Sequence, residues 1–147
     1  MMKLAKTCFI AAVAAGAALA TMAEEPKLDA ESAEIVQRMK AMRLPEMEFA
    51  PPKTIDDAVD FFRDASKKYD SAEIPEEKRG FNFILRTGGA DVPVIPMLRL
   101  RDVSFYDALK FVCSHVGYEF DISYESDLDN GIVTIKPCDT NKSCDAK

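Results

Sequence analysis

Apolar positions along the chain form patterned runs separated by polar stretches bearing proline or glycine. From Asp29 to about Leu44, Ile35, Val36, Met39 and Met42 share one stripe, while Glu31, Glu34, Arg38 and Lys40 fall elsewhere. That spacing predicts an amphipathic helix, and Pro45 ends it. The stripe is narrow, so this helix needs a surface to cover, either the domain behind it or another chain. Met47 to Ala50 alternates apolar with polar and predicts a short strand, closed by Pro51-Pro52.

The strongest pattern is internal. Residues 54–62 read TIDDAVDFF and residues 104–112 read SFYDALKFV. Thr54, Ile55, Asp57, Ala58, Val59 and Phe61 meet Ser104, Phe105, Asp107, Ala108, Leu109 and Phe111 in turn. Each segment opens with a hydroxyl residue followed three positions later by aspartate, an acidic form of the capping box at the positive end of a helix. Ile55, Ala58, Val59 and Phe62 then form one apolar face; Phe105, Ala108, Leu109 and Val112 form the other. Phe61 and Phe111 widen each face by about 60° at ~100° per residue. So wide an arc predicts two helices lying between two layers.

The flanks of the repeat also match. Phe81 to Arg86 and Val94 to Arg101 read as strands, with a turn at residues 87–91 between them. Gly117 reads as the stop of the second helix. Tyr118, Phe120 and Ile122 alternate with Glu119, Asp121 and Ser123; a turn over Ser126 to Gly131 and a strand from Ile132 to Lys136 follow. The expected architecture is α+β: an amphipathic helix, then β-α-β and β-α-β-β units burying two helices between two small sheets. The domain spans residues 45–137, the leading helix and linker 24–44, and a polar tail 138–147.

The first 23 residues read as a targeting segment. Lys3 and Lys6 precede an apolar run from Cys8 to Ala20, and small residues then favour cleavage after Ala23. The run is shorter than the ~20 residues a spanning helix needs, and no later segment is apolar enough to cross a membrane. The expected location is therefore the periplasm or the medium. Removing the two leader lysines takes the net charge from −6 to −8, which disfavours nucleic acid as a partner. Cys113, Cys138 and Cys144 remain. A Cys138–Cys144 bridge would close a small tail loop; a Cys113–Cys138 bridge is the competing arrangement, and otherwise Cys113 is a small hydrophobe on a helix.

Little in the sequence resembles catalytic chemistry. His115 is the only histidine, and Cys113 two positions before it on a helix points to another face. In residues 125–136 the sixth and twelfth positions are Asn130 and Lys136, where a calcium loop requires glycine and glutamate. Gly88-Gly89 precedes no Lys-Ser/Thr pair, so it is not a phosphate loop. Asp56-Asp57 suits a helix N-terminus better than a pair of catalytic carboxylates. Arg99 and Arg101 are expected to face Glu119 and Asp121 across a sheet. We therefore expect no enzyme activity, no cofactor and no metal site.

Leu98 to Val103, Ala108-Leu109, Gly117-Tyr118 and Val133-Thr134-Ile135 together resemble the STN module, the short domain at the N-termini of secretins and TonB-dependent receptors. The likeness extends over about residues 44–137, and the first half is similar to segments preceding that module in exported bacterial proteins. It implies two helices between a two-stranded and a three-stranded sheet, and a role in periplasmic protein contacts. The chain lacks a receptor barrel, plug or secretin pore segment, so neither parent role carries over whole. The expected function is a protein–protein interaction module of the cell envelope, contacting an envelope protein or another copy of itself. Contact would run through a sheet edge or the stripe of Ile35, Val36, Met39 and Met42. A small-ligand or glycan-binding domain lined by Tyr106, Tyr118 and Tyr124 is the alternative.

Overall fold

The structure is a computed structural model that describes residues 29–89, 91–125 and 128–139, with backbone alone for 128 and 129. The leader with its cleavage position Ala23, and Cys144 in the tail, lie outside the described residues. The elements are α1 (Ala30–Ala41), β1 (Arg43–Phe49), α2 (Ile55–Tyr69), a 3-10 turn (Glu76–Lys78), β2 (Asn82–Leu85), β3 (Leu98–Ser104), α3 (Phe105–His115), β4 (Tyr118–Glu125) and β5 (Leu128–Pro137).

α2 and α3 lie between a two-stranded sheet, β1–β3, and a three-stranded sheet ordered β2–β5–β4. The two halves of the repeat interleave. Their first strands pair antiparallel with each other, and their second strands enter the other sheet, where β2 runs parallel to β5. Each helix thus passes from one sheet to the other, which is why both need apolar residues on more than one side.

The helix starts are built alike. The Thr54 N–H and hydroxyl donate to an Asp57 carboxylate oxygen at 2.7 and 3.1 Å. This bonding holds the Asp57 carboxyl below its ordinary pKa, the Thr54 backbone donor being the main cause. At α3, Ser104 Oγ accepts the Asp107 N–H at 3.1 Å and donates to the Asp107 carboxylate at 2.6 Å. The next peptide group is satisfied from the opposite half: Ile55 donates to the Pro93 carbonyl and Phe105 to the Met42 carbonyl. Capping therefore also fixes how the two halves meet.

All eight repeat positions, Ile55, Ala58, Val59, Phe62, Phe105, Ala108, Leu109 and Val112, are 2% exposed or less. Phe62 meets Phe105 edge to face at 5.3 Å, in the middle layer. The outer aromatic position divides the halves. Phe61 packs under Phe49 of β1 at 5.4 Å, whereas Phe111 is 47% exposed. The wide arc expected of α3 is corrected at that position; the side of α3 that needs cover receives α1 instead.

α1 is shorter than expected. It ends at Ala41, with Met42 already extended, and β1 runs through Pro45. Pro45 is tolerated because β1 is an edge strand; it lies opposite Asp102, whose φ is 48°. The stripe on α1 faces inward: Ile35, Met39 and Met42 belong to the core, and Val36 is half-buried. Each buried side chain of this size is worth about 1.5–3 kcal/mol. Of the two surfaces open to this helix, it covers its own domain.

The C-terminal turn is also corrected. Asn130 and Gly131, read as turn residues, lie inside β5, and Glu125 already pairs with Leu128. Gly131 has a packing cause: a Cβ there would collide with the Ile35 side chain. The helix rests on the strand where a side chain is missing.

Candidate interaction surfaces

The residues singled out for chemistry are scattered by the fold. His115 is exposed near the end of α3, its Nδ1 2.9 Å from the Phe111 carbonyl. Cys113 is buried on the inward face, where loss of solvent pushes its thiol up to about 12. It is free, so the Cys113–Cys138 bridge does not form; Cys138 is disulfide-bonded. Among the described residues no three His, Cys, Asp or Glu side chains group to hold a metal.

Among the described residues no ring contact joins the three tyrosines to one another. Tyr106 stacks edge to face on Phe120 at 5.5 Å with the Lys40 ammonium 5.1 Å above it, and Tyr118 is buried. Tyr124 borders a recess of about 230 Å³ with Glu31, Glu34, Ile35 and Arg38.

Arg99 and Arg101 do not reach Glu119 and Asp121. β3 pairs with β1, so Arg99 meets Glu46 at 2.5 Å and Glu48 at 3.5 Å, while Arg101 meets Glu46 at 3.2 Å. The Arg99 hydrogen bond, followed by that of Arg101, lowers the Glu46 pKa. Glu119 and Asp121 instead take Lys136 from the neighbouring strand β5, and the Asp121 bond raises the lysine pKa. The sequence carried both charge sets; only strand order decides their partners.

Two surface features are left with no structural task. The first lies on the connection from β2 to β3. Ile95 is fully buried and anchors this segment, donating its N–H to the Lys53 carbonyl at 2.8 Å. Around that anchor Val92, Val94 and Met97 are 41%, 51% and 75% exposed. Single exposed hydrophobes are ordinary, but three within six residues on a tethered segment form a patch. The alternation from Val94 placed a strand here; instead Val94 forms one isolated bridge with Thr54, and β3 begins at Leu98. This patch was missed because apolar residues next to a predicted strand read as core.

The second is a cleft of about 600 Å³ lined by Lys67, Lys68, Glu76, Glu77, Arg79, Asn82 and Asn130. Its lining is polar throughout, and the Asn130 Oδ1 has no hydrogen-bond partner among the described residues. No single run of sequence announces it, since its walls come from α2, the 3-10 turn, β2 and β5. No helix among the described residues is long and apolar enough to cross a membrane. No family model, curated protein or solved structure matches this chain.

Proposed function

We propose that the chain is a non-catalytic protein–protein contact module of the cell envelope, exported by residues 1–23, cleaved after Ala23, and acting in the periplasm or outside the cell. The observation that carries this reading is the patch of Val92, Val94 and Met97, held in place by the buried Ile95. Exposed apolar surface on a backbone tethered at Lys53 and Ile55 suits a partner, because little chain entropy is lost on docking. The sequence resemblance of residues 44–137 to the STN module supports the same reading. A glycan-binding reading would rest on the polar cleft, whose lining has no aromatic residue against which a sugar ring could stack.

The test is photo-crosslinking in intact cells with a benzophenone side chain placed at Met97 or, as control, at the exposed Glu73. A discrete adduct from position 97, absent from 73 and lost on Val94→Asp, is the expected result. Identical patterns from both positions would remove the patch as a contact surface.

A further inference from the structure

The two sheets present four edge strands, and three of them carry devices that discourage pairing. β1 contains Pro45, β3 carries the left-handed Asp102, and β4 carries Glu119, Asp121 and Glu125 along its length. β2, Asn82-Phe83-Ile84-Leu85, has neither a charge nor a proline, and Ile84 on its outer face is 42% exposed. The Arg86 N–H donates to the Ile135 carbonyl of β5 at 2.8 Å. Peptide groups alternate in direction along a strand, so those of Phe83 and Leu85 point to the open edge. Neither has a hydrogen-bond partner among the described residues.

The ends of this open edge are basic. Arg86 follows β2 directly, is exposed, and has no ion-pair partner among the described residues. At the other end the polar cleft begins at Asn82 and brings in Lys67, Lys68 and Arg79. Among the described residues the Arg79 guanidinium donates to the Ile74 and Ala72 carbonyls and meets no carboxylate. Glu76 and Glu77 offset part of this charge, leaving three cations against two carboxylates in the cleft. A second copy pairing antiparallel along β2 would bring Arg86 towards the partner's basic cleft, and like charge opposes that.

We propose that the open edge of β2 receives an extended segment of a partner protein, with an aliphatic centre flanked by acidic residues about four positions apart. The spacing follows from the stretch between Asn82 and Arg86, about 13 Å at ~3.3 Å per residue. The outward N–H and C=O groups of Phe83 and Leu85, four in all, supply the pairing, a side chain beside Ile84 supplies apolar contact, and the basic ends select acidic flanks. The unpartnered Asn130 Oδ1 can take a donor from the same segment where it enters the cleft. This rests on reading the chain as a contact module and adds the chemistry of its partner.

The probe is an array of eight-residue peptides with aliphatic and threonine centres between two acidic residues, set beside the same array with lysine at the flanks. Members of the acidic set are expected to bind at least tenfold more tightly than their lysine counterparts. Amide exchange at Phe83 and Leu85 should slow at least tenfold in the complex, and Arg86→Glu should weaken binding at least tenfold with the melting temperature retained. Should Arg86→Glu fail to fold, Arg86→Gln is expected to give a smaller loss in the same direction. Equal binding of both sets, or binding without protection at Phe83 and Leu85, would overturn the proposal. So would protection that rises with protein concentration alone, which would assign the edge to a second copy. A Met97 adduct that persists while the peptides fail would leave the contact-module reading standing and remove only this one.

Discussion

Arg38 Nη2 lies 2.5 Å from Asp70 Oδ2, joining α1 to the end of α2 across 32 residues of sequence. The Asp70 side chain is 2% exposed and also accepts the N–H groups of Ser71 and Gly80 at 2.9 and 2.8 Å. The guanidinium sits 5.0 Å over the Phe81 ring. One carboxylate thus ties together the first helix, the end of the second, and the loop that leads into β2.

Asp70→Ala removes every one of those acceptors and leaves a partly buried arginine. It is expected to cost about 2–3 kcal/mol in urea unfolding, and Arg38→Ala less, because Arg38 retains some exposure. The double variant should fall short of the sum by about 1 kcal/mol. Additive losses would show that the two residues act separately.

Gly131 and Ile35 form a second link between α1 and the sheet. Gly131→Ala forces a methyl against Ile35 and is expected to destabilise by about 1–3 kcal/mol. Ile35→Val in the same chain should recover part of that loss, whereas alone it should cost about 1 kcal/mol. Thermal melts of the four proteins measure both effects. If Ile35→Val adds to the damage, α1 does not rest where the glycine leaves room.

The repeat is unequal at its aromatic positions, and stability should report it. Phe61→Ala removes a ring packed on Phe49 and Phe62 and is expected to cost about 2–3 kcal/mol. Phe111→Ala, at the matching position of α3, should stay within about 0.5 kcal/mol. Equal losses would mean that Phe111 is covered.

Cys113 gives a pH dependence of known sign. Burial raises its folded-state pKa to about 12, against ~8.5 in an unfolded chain. The folded protein therefore holds the thiol proton more tightly. The contribution is complete below about pH 8.5 and is lost as pH rises from there towards 12. Stability of the native protein should fall faster than that of Cys113→Ala over this window in denaturant titrations. At pH 8, iodoacetamide should modify Cys113 only as fast as the chain opens, so rapid labelling of the folded protein would contradict its burial.

Local features of the fold were legible because their causes are local. The Thr54/Asp57 and Ser104/Asp107 pairs announced two helix starts, the spacing of apolar residues announced two inward faces, and Gly117, with its φ of 72°, announced a stop. The partners of Arg99 and Arg101 were misjudged because a charge on a strand meets whatever strand lies beside it. Asn130-Gly131 looked like a turn because such a pair favours one; what keeps glycine at 131 is Ile35, far away in sequence. The patch at Val92, Val94 and Met97 and the open edge of β2 were hidden for the same reason, since apolar residues show in a sequence and exposure does not.

By itself the sequence determined an α+β domain with two capped helices of matched design, since capping and periodicity act within a few residues. Tertiary structure alone decided that the strands of the two halves are exchanged between sheets, that α1 completes the core, and which backbone edge remains unpaired. Those outcomes depend on contacts between segments distant in the chain, and such contacts exist only once the layers have come together.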